Sequence, residues 1–159
     1  MAPSRWVTAT VARAVKVIDR GWNKAIEHAN KLARRQVVVG IQAGTGQQDG
    51  VDLLDILIYN EFGTRRIPAR PVMRSYYDTY AAEIGKESDR ASLFILRTGA
   101  VDAGLARLGA YLQSGLQAHW RASKSWAVPN TAYTIKNKGS DVPLIDNGVL
   151  INAVRWAIR

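Results

Sequence analysis

The stretch Asn60-Glu-Phe-Gly-Thr-Arg-Arg-Ile-Pro-Ala-Arg-Pro71 separates a short apolar segment from a long periodic one and decides how the two are joined. Gly63 supports a sharp turn, because glycine adopts backbone angles that other residues avoid. Pro68 and Pro71 hold the residues before them in extended conformations. Pro71 also suits the first position of a helix, where its missing N–H has no intrahelical partner. We therefore predict a rigid turn that ends one helix and begins the next.

Helical patterns lie on both sides of this turn. Residues 51–60 are dense in Leu and Ile and predict a short helix. Apolar residues recur at steps of three and four over residues 8–35, 72–96 and 101–120, which predicts three longer helices. The last of these contains three glycines, each costing roughly 1 kcal/mol relative to alanine, a cost tolerated where another backbone packs closely. They are Gly104, Gly109 and Gly115.

Two segments have the patterns of strands. Residues 36–41 are a β-branched run typical of a buried strand, and residues 152–158 alternate between two faces like a half-buried strand. The glycine-rich loop 44–50 lacks the residues of a phosphate-binding loop, so we expect a flexible loop that orders against a neighbouring molecule. Residues 122–147 show no periodicity and are long for a connector, which predicts an extended arm lying on another surface.

These elements predict the fold class. We expect an α+β fold in which a small antiparallel or mixed sheet packs with long helices, with extended loop or arm segments in addition. The length of 159 residues suits a single structural domain. Its expected parts are an N-terminal basic helix (1–35), a body of sheet and helices (36–121), an extended arm (122–147) and a terminal strand (148–159).

The composition excludes several kinds of function. The chain has no cysteine, which rules out disulfide frameworks, thiolate metal sites and cysteine nucleophiles. Of its two histidines, His28 and His119, we expect the second to be a surface or boundary residue rather than a ligand. No pattern suggests a nucleophile–base pair or paired carboxylates, so we expect no enzyme, cofactor or metal site. No apolar run approaches the roughly 18 residues of a membrane span.

The charge points to an acidic partner. The chain carries 22 Lys and Arg against 13 Asp and Glu, a net charge of +9, which favours nucleic acid, an acidic protein surface or an anionic membrane. One hypothesis is a non-specific nucleic-acid-binding protein that uses the N-terminal basic helix, although its cations are spread around the helix and no reader motif accompanies them. The candidate polyanion contacts are Arg13, Lys16, Arg20, Lys24 and Lys31.

Two motifs carry a resemblance to a known family. Asn60-Glu-Phe-Gly-Thr64, followed by Ile67-Pro-Ala-Arg-Pro71, resembles the N/H-E-F-G-T … I-P-A-R-P-F signature of the bacteriophage virion-morphogenesis and tail-completion proteins. Within residues 131–150, the pattern T … K-G-S … P-L-I-D-N-G-V-L is similar to that family's T … K-G-S … P-L-I-D-T-G-x-L block. The order and spacing match over residues 36–158.

The motif residues are interpreted as fold-specifying. We expect Glu61 to Thr64 to end the short helix, with Phe62 as an apolar anchor, and Asp146 to accept backbone N–H bonds at the start of the last segment. Val72 and Asn147 depart from the family pattern, which usually has Phe and Thr at these positions. The family-motif residues are Asn60, Glu61, Phe62, Gly63, Thr64, Pro68, Arg70, Pro71, Pro143, Leu144, Asp146 and Gly148.

The resemblance implies a structural virion protein rather than an enzyme. Proteins of this family act in tail completion or head–tail joining as rings, commonly sixfold, in the neck or upper tail. Expected partners are further copies of the chain, the head–tail connector, tail tube or terminator proteins, and genomic DNA passing through the lumen, with synthesis in the host cytoplasm and no membrane. Candidate contacts with a neighbouring subunit or ring are Arg65, Arg66, Arg70, Arg74, Trp126, Tyr133 and Ile135.

Overall fold

The computed structural model describes residues 19–159 and has the predicted α+β architecture. Long helices pack against a small antiparallel β arrangement. In chain order the elements are α1 (Trp22–Leu32), β1 (Val37–Gly40), β2 (Gln47–Gln48), β3 (Val51–Asp52), α2 (Leu53–Phe62), α3 (Val72–Thr98), α4 (Val101–Arg121), a 3-10 turn (Ser123–Ser125), α5 (Ala132–Lys138), α6 (Val149–Asn152) and β4 (Arg155–Ile158).

The two predicted strands form one antiparallel pair. β1 and β4 align from Val37 opposite Ile158 to Gly40 opposite Arg155. Backbone hydrogen bonds between Gln36 and Arg159, at 2.8 and 2.9 Å, extend the ladder by one residue. The pairing joins segments more than a hundred residues apart and places both against α4.

α4 is the central element of the core. Its Leu116 and Trp120 are fully buried and belong to the same apolar cluster as Val72 of α3 and Val154, which immediately precedes β4. α3 and α4 pack side by side after a turn at Gly99, whose φ of 75° suits glycine.

The three glycines of α4 allow close packing, as expected, but they face side chains rather than another backbone. A Cβ at Gly109 would lie 2.8 Å from the Trp156 ring, and one at Gly115 would lie 2.3 Å from the Tyr76 hydroxyl. A Cβ at Gly104 would lie 2.4 Å from Ile95. Each glycine therefore makes room for one large side chain of α3 or β4.

The structure confirms the predicted helix 8–35 only in part: α1 covers 22–32, residues 19–21 and 33–35 are not helical, and residues 8–18 lie outside the described residues. α1 begins only at Trp22, because the Asp19 carboxylate accepts hydrogen bonds from the N–H groups of Gly21 (2.8 Å) and Trp22 (2.6 Å). Gly21 has a φ of 99°, which a continuous helix does not permit. α1 packs on α3, where His28 Nδ1 donates to the Leu96 carbonyl at 2.9 Å.

The expected flexible loop at residues 44–50 instead contributes to a hairpin. β2 and β3 pair through a two-residue turn, Asp49-Gly50, in which both φ angles are positive, at 51° and 78°. These angles are those of a type I′ turn, for which Asp-Gly is a preferred sequence. The Asp-Gly pair was the signal that could have predicted the hairpin.

The expected extended arm, residues 122–147, folds back onto its own chain. It contains the 3-10 turn and α5, and its Ser123 and Pro143 are fully buried. The Ser123 hydroxyl donates to the Pro143 carbonyl at 2.7 Å, and Trp120 Nε1 donates to the Leu144 carbonyl at 3.3 Å. Because these contacts join residues about twenty positions apart, local periodicity could not reveal them.

Candidate subunit interface

The turn between α2 and α3 is built around the buried carboxylate of Glu61. Its two oxygens accept hydrogen bonds from the N–H groups of Met73 and Arg74, each at 3.0 Å. Pro71, at the N-cap of α3, has no side chain that could accept them. The last turn of α2 therefore caps the first turn of α3, and this fixes the angle between the helices.

Sequence reasoning missed this role of Glu61. The available signal was a helix start at Pro71 without Ser, Thr, Asp or Asn to cap it, and an acidic residue shortly upstream. Phe62, which we expected to be the apolar anchor, is 66% exposed, so that expectation is wrong. The charged residue of the pair is buried and the aromatic one faces outward.

The rest of the turn is closed by its own polar groups. The Thr64 hydroxyl accepts from the N–H groups of Arg66 (3.2 Å) and Ile67 (3.0 Å), and the Thr64 N–H donates to the Ile67 carbonyl at 2.8 Å. A Cβ at Gly63 would lie 2.9 Å from the backbone nitrogen of Ala69, so only glycine fits there. Residues 63–69 thus form a compact loop that displays its arginines outward.

Arg70 connects the first motif to the segment that leads into the second. Its guanidinium donates to the carbonyls of Val128 (2.7 Å) and Pro129 (3.1 Å) and to the side-chain oxygen of Asn130 (3.3 Å). Asn130 in turn donates to the Val142 carbonyl at 3.3 Å. Partial burial lowers the pKa of Arg70. These bonds are made within the chain, and the role of Arg70 at an interface stays a prediction.

The second motif meets the first at a small cleft. The cleft has a volume of about 170 Å³ and is lined by Asn60 from the first motif and by Lys138, Asp146 and Gly148 from the second. Burial lowers the pKa of Lys138, and the nearby carboxylate of Asp146 opposes that shift. Two blocks that lie about seventy residues apart in the sequence therefore meet in the fold.

The expected capping role of Asp146 is taken by its neighbour. The Asn147 side-chain oxygen accepts from the Val149 N–H at 3.1 Å, at the start of α6. Asn147 is one of the positions that depart from the family pattern, and its short amide is suited to this turn. Leu144, in the same motif, has a φ of 63°, while the adjacent Pro143 is fully buried.

The first motif also presents a basic and aromatic surface, which we name the motif surface and define as Phe62, Arg65, Arg66 and Arg74. All four side chains are exposed. The Arg74 guanidinium lies over the Phe62 ring, 6.0 Å from its centroid. Cations around an exposed aromatic ring are typical of protein interfaces, in which arginine and aromatic residues are enriched.

The other predicted interface residues lie in the 122–147 segment and differ in exposure. Trp126 is half-buried, stacks on the His119 ring with centroids 4.6 Å apart, and donates from Nε1 to the His119 carbonyl at 3.0 Å. Tyr133 and Ile135 lie on α5, where Tyr133 is 76% exposed. His119 is buried, contrary to our expectation of a surface or boundary position, and its Nε2 is 3.0 Å from the Ser75 hydroxyl.

The predicted polyanion contacts are not part of the motif surface. Arg20 and Lys24 are exposed at α1, whereas Lys31 forms an ion pair with Glu27 at 2.8 Å. Arg13 and Lys16 lie outside the described residues. α1 contacts α3 at Leu96, near the end of that helix, and the motif surface lies at its start, with a kink at Tyr80 between them.

Two properties of the described residues bear on the kind of site. Among residues 19–159, no group of three His, Asp or Glu side chains is arranged to hold a metal ion. No helix in the same part of the chain combines the length and the apolar composition needed to cross a membrane.

The chain has no match among protein-family models, curated proteins or solved structures. A functional proposal therefore depends on its motif residues and their geometry.

Proposed function

We propose that the chain is a non-enzymatic structural protein of a tailed-bacteriophage virion, a ring subunit in tail completion or head–tail joining. One observation carries the proposal: the two motifs that resemble this family meet at the Asn60–Asp146 cleft, and Arg70 of the first motif binds the segment that leads into the second. If the chain shares the fold of this family, its two motifs should lie close together in space. Two short patterns that match the family by accident need not lie close together.

The exposed side chains are consistent with assembly. Phe62 and Tyr133 are large aromatic residues that a chain acting alone would gain by burying, and the motif surface adds cations beside the first of them. A ring subunit needs such surfaces on two sides, because each copy contacts two neighbours. The proposed partners are other copies, commonly six in all, together with the head–tail connector and tail tube or terminator proteins.

The net charge of +9 suits a ring whose lumen passes the genome. Exposed cations such as Arg20 and Lys24 attract phosphates without reading bases, so DNA can move past them. The virion neck or upper tail is the proposed location.

Disruption of the gene in the phage that encodes the chain tests the proposal. We expect lysates with DNA-filled heads and separate tails by electron microscopy, and recovery of joined particles when the wild-type chain is supplied in trans. Normal infectious particles in the absence of the protein would contradict the proposal.

The alternative, a non-specific nucleic-acid-binding protein, is tested by titrating the purified chain with duplex DNA at several salt concentrations. Micromolar or tighter binding at physiological salt would favour it. The ring proposal predicts binding weaker than micromolar at physiological salt with a shallow salt dependence, because few phosphate contacts supply little affinity and release few counterions.

A further inference from the structure

Helix α2 carries opposite charges at its two ends. Before and within its first turn lie Asp49, at the tip of the β2–β3 hairpin, and Asp55, both exposed. Just beyond its last turn lie Arg65 and Arg66, also exposed. None of the ion pairs found within residues 19–159 includes any of these four side chains. Ten helical residues separate the two ends by about 15 Å.

Each end also has an exposed apolar residue. Val51 lies beside Asp49 and is 38% exposed, and Phe62 lies beside the arginines. The acidic end, defined as Asp49, Val51 and Asp55, thus has the composition that complements the motif surface in both charge and apolar contact. The Asp52 carboxylate is left out of this definition, because its Oδ1 already accepts from the Leu54 N–H at 2.8 Å.

We propose that the motif surface binds the acidic end of α2 on a second copy of this chain. The inference rests on the proposed ring function and specifies the contact between neighbours. Burial of Phe62 against Val51 would supply most of the affinity, and the charge pairs would set the orientation, since charge complementarity favours specificity over affinity. The contact is heterologous when each copy uses its two surfaces on two different neighbours instead of exchanging both with one neighbour in a twofold pair, and its repetition forms a ring when the rotation between neighbours closes.

The absence of cysteine allows a direct crosslinking test. Gln47→Cys places a thiol beside the acidic end, and Ala69→Cys places one beside the motif surface; both positions are exposed and neither belongs to the contact. With a short bis-maleimide, the double variant should give a ladder beyond dimers that ends at one closed size. Each single variant should stay monomeric, and an equimolar mixture of the two should stop at dimers.

Charge variants in the double-cysteine background test the chemistry of the contact. Arg65→Glu/Arg66→Glu should reduce ladder formation at least tenfold, and adding Asp55→Lys to it should restore most of the yield. Arg97→Glu, an exposed cation at the far end of α3, is the matched control and should leave the ladder unchanged. Circular dichroism melting establishes that each variant is folded.

The outcomes separate this inference from the proposed function. A double variant that stops at dimers would overturn the head-to-tail contact in favour of a twofold one. Monomers only, or a ladder that the arginine variant does not change, would also overturn it. Any of these results together with separate heads and tails in the gene disruption would leave the proposed function standing and remove only this contact.

Discussion

Glu61 and Phe62 are adjacent residues whose environments are the reverse of what their polarity suggests. The carboxylate is buried because two N–H groups at the start of α3 need acceptors, and the aromatic ring remains outside beside Arg74. A buried polar group with both oxygens hydrogen-bonded costs little, whereas a helix start without acceptors is costly. The polar atoms of the turn therefore determine which residue is buried.

We predict that Glu61→Ala lowers the free energy of unfolding by about 1–3 kcal/mol, because two N–H groups lose their acceptors. The free energy of unfolding of Glu61→Gln should lie between those of Glu61→Ala and the wild type, since an amide offers one acceptor oxygen instead of two. Urea denaturation followed by circular dichroism measures both. Glu83→Ala, at an exposed position of α3, should remain within about 0.5 kcal/mol of the wild type, and an equal loss there would contradict the capping role.

Gly109 and Gly85 form a matched pair for the packing of helical glycines. Gly109→Ala should destabilise the chain by about 1–3 kcal/mol, because the new methyl would lie 2.8 Å from the Trp156 ring. Gly85→Ala meets no atom within 4 Å and should stabilise α3 by about 0.5–1 kcal/mol through helix propensity. Thermal melts of both variants check the prediction. A stabilising Gly109→Ala would show that Trp156 does not pack as described.

His119 should make stability depend on pH. Burial lowers its pKa in the folded chain, so the unfolded chain binds this proton more readily. The stabilisation from neutral His119 is complete above the ordinary histidine pKa of about 6.5 and is lost as the pH falls below it, with a slope of up to about 1.4 kcal/mol per pH unit. Urea midpoints from pH 8 to 5 should fall less steeply in His119→Gln. Identical slopes would contradict this assignment.

At the scale of elements, the sequence predicted best where a pattern is local. The sequence predicted the bounds of five elements to within a few residues, namely β1, β4, α2, α3 and α4. Their apolar residues repeat at regular spacing, and Pro71 and Gly99 mark helix boundaries along the chain. The short helices α5 and α6 lacked enough residues to show a period.

The candidate site was predicted only in part, for the same reason. The motif residues were identified from their order and spacing, but the contacts that join the motifs were not. Arg70 reaches carbonyls 58 and 59 positions further along the chain, and Ser123 reaches one 20 positions away. Backbone carbonyls carry no sequence signal, so no pattern could have indicated that residues 122–147 fold back.

We predict that Arg70→Ala loosens the 122–147 segment without unfolding the helices. The guanidinium holds two carbonyls and the Asn130 side chain, and alanine leaves all three without this donor. Limited trypsin digestion should therefore cut faster after Lys124, Lys136 and Lys138, as measured by mass spectrometry of the fragments. Arg66→Ala, an exposed arginine in the same loop, is the control and should digest like the wild type. Equal rates for both variants would show that Arg70 does not hold the segment.

At the scale of the whole molecule, the charge of +9 is divided between regions with different proposed partners. The motif surface lies at the start of α3, whereas α1 contacts α3 near its end, with a kink at Tyr80 between them. This separation predicts that DNA contact and subunit contact can be altered independently. Arg20→Ala/Lys24→Ala should weaken duplex binding at low salt and reduce the slope of log affinity against log salt by up to about 2, since two phosphate contacts are lost. The crosslinked ladder should be unchanged.

Arg65→Ala/Arg66→Ala removes the same charge and should do the opposite, reducing the ladder while leaving the salt slope intact. Fluorescence anisotropy of a labelled duplex measures the slope in both variants. Equal losses of DNA affinity would mean that only net charge attracts the DNA, and the two basic regions would then have no separate roles.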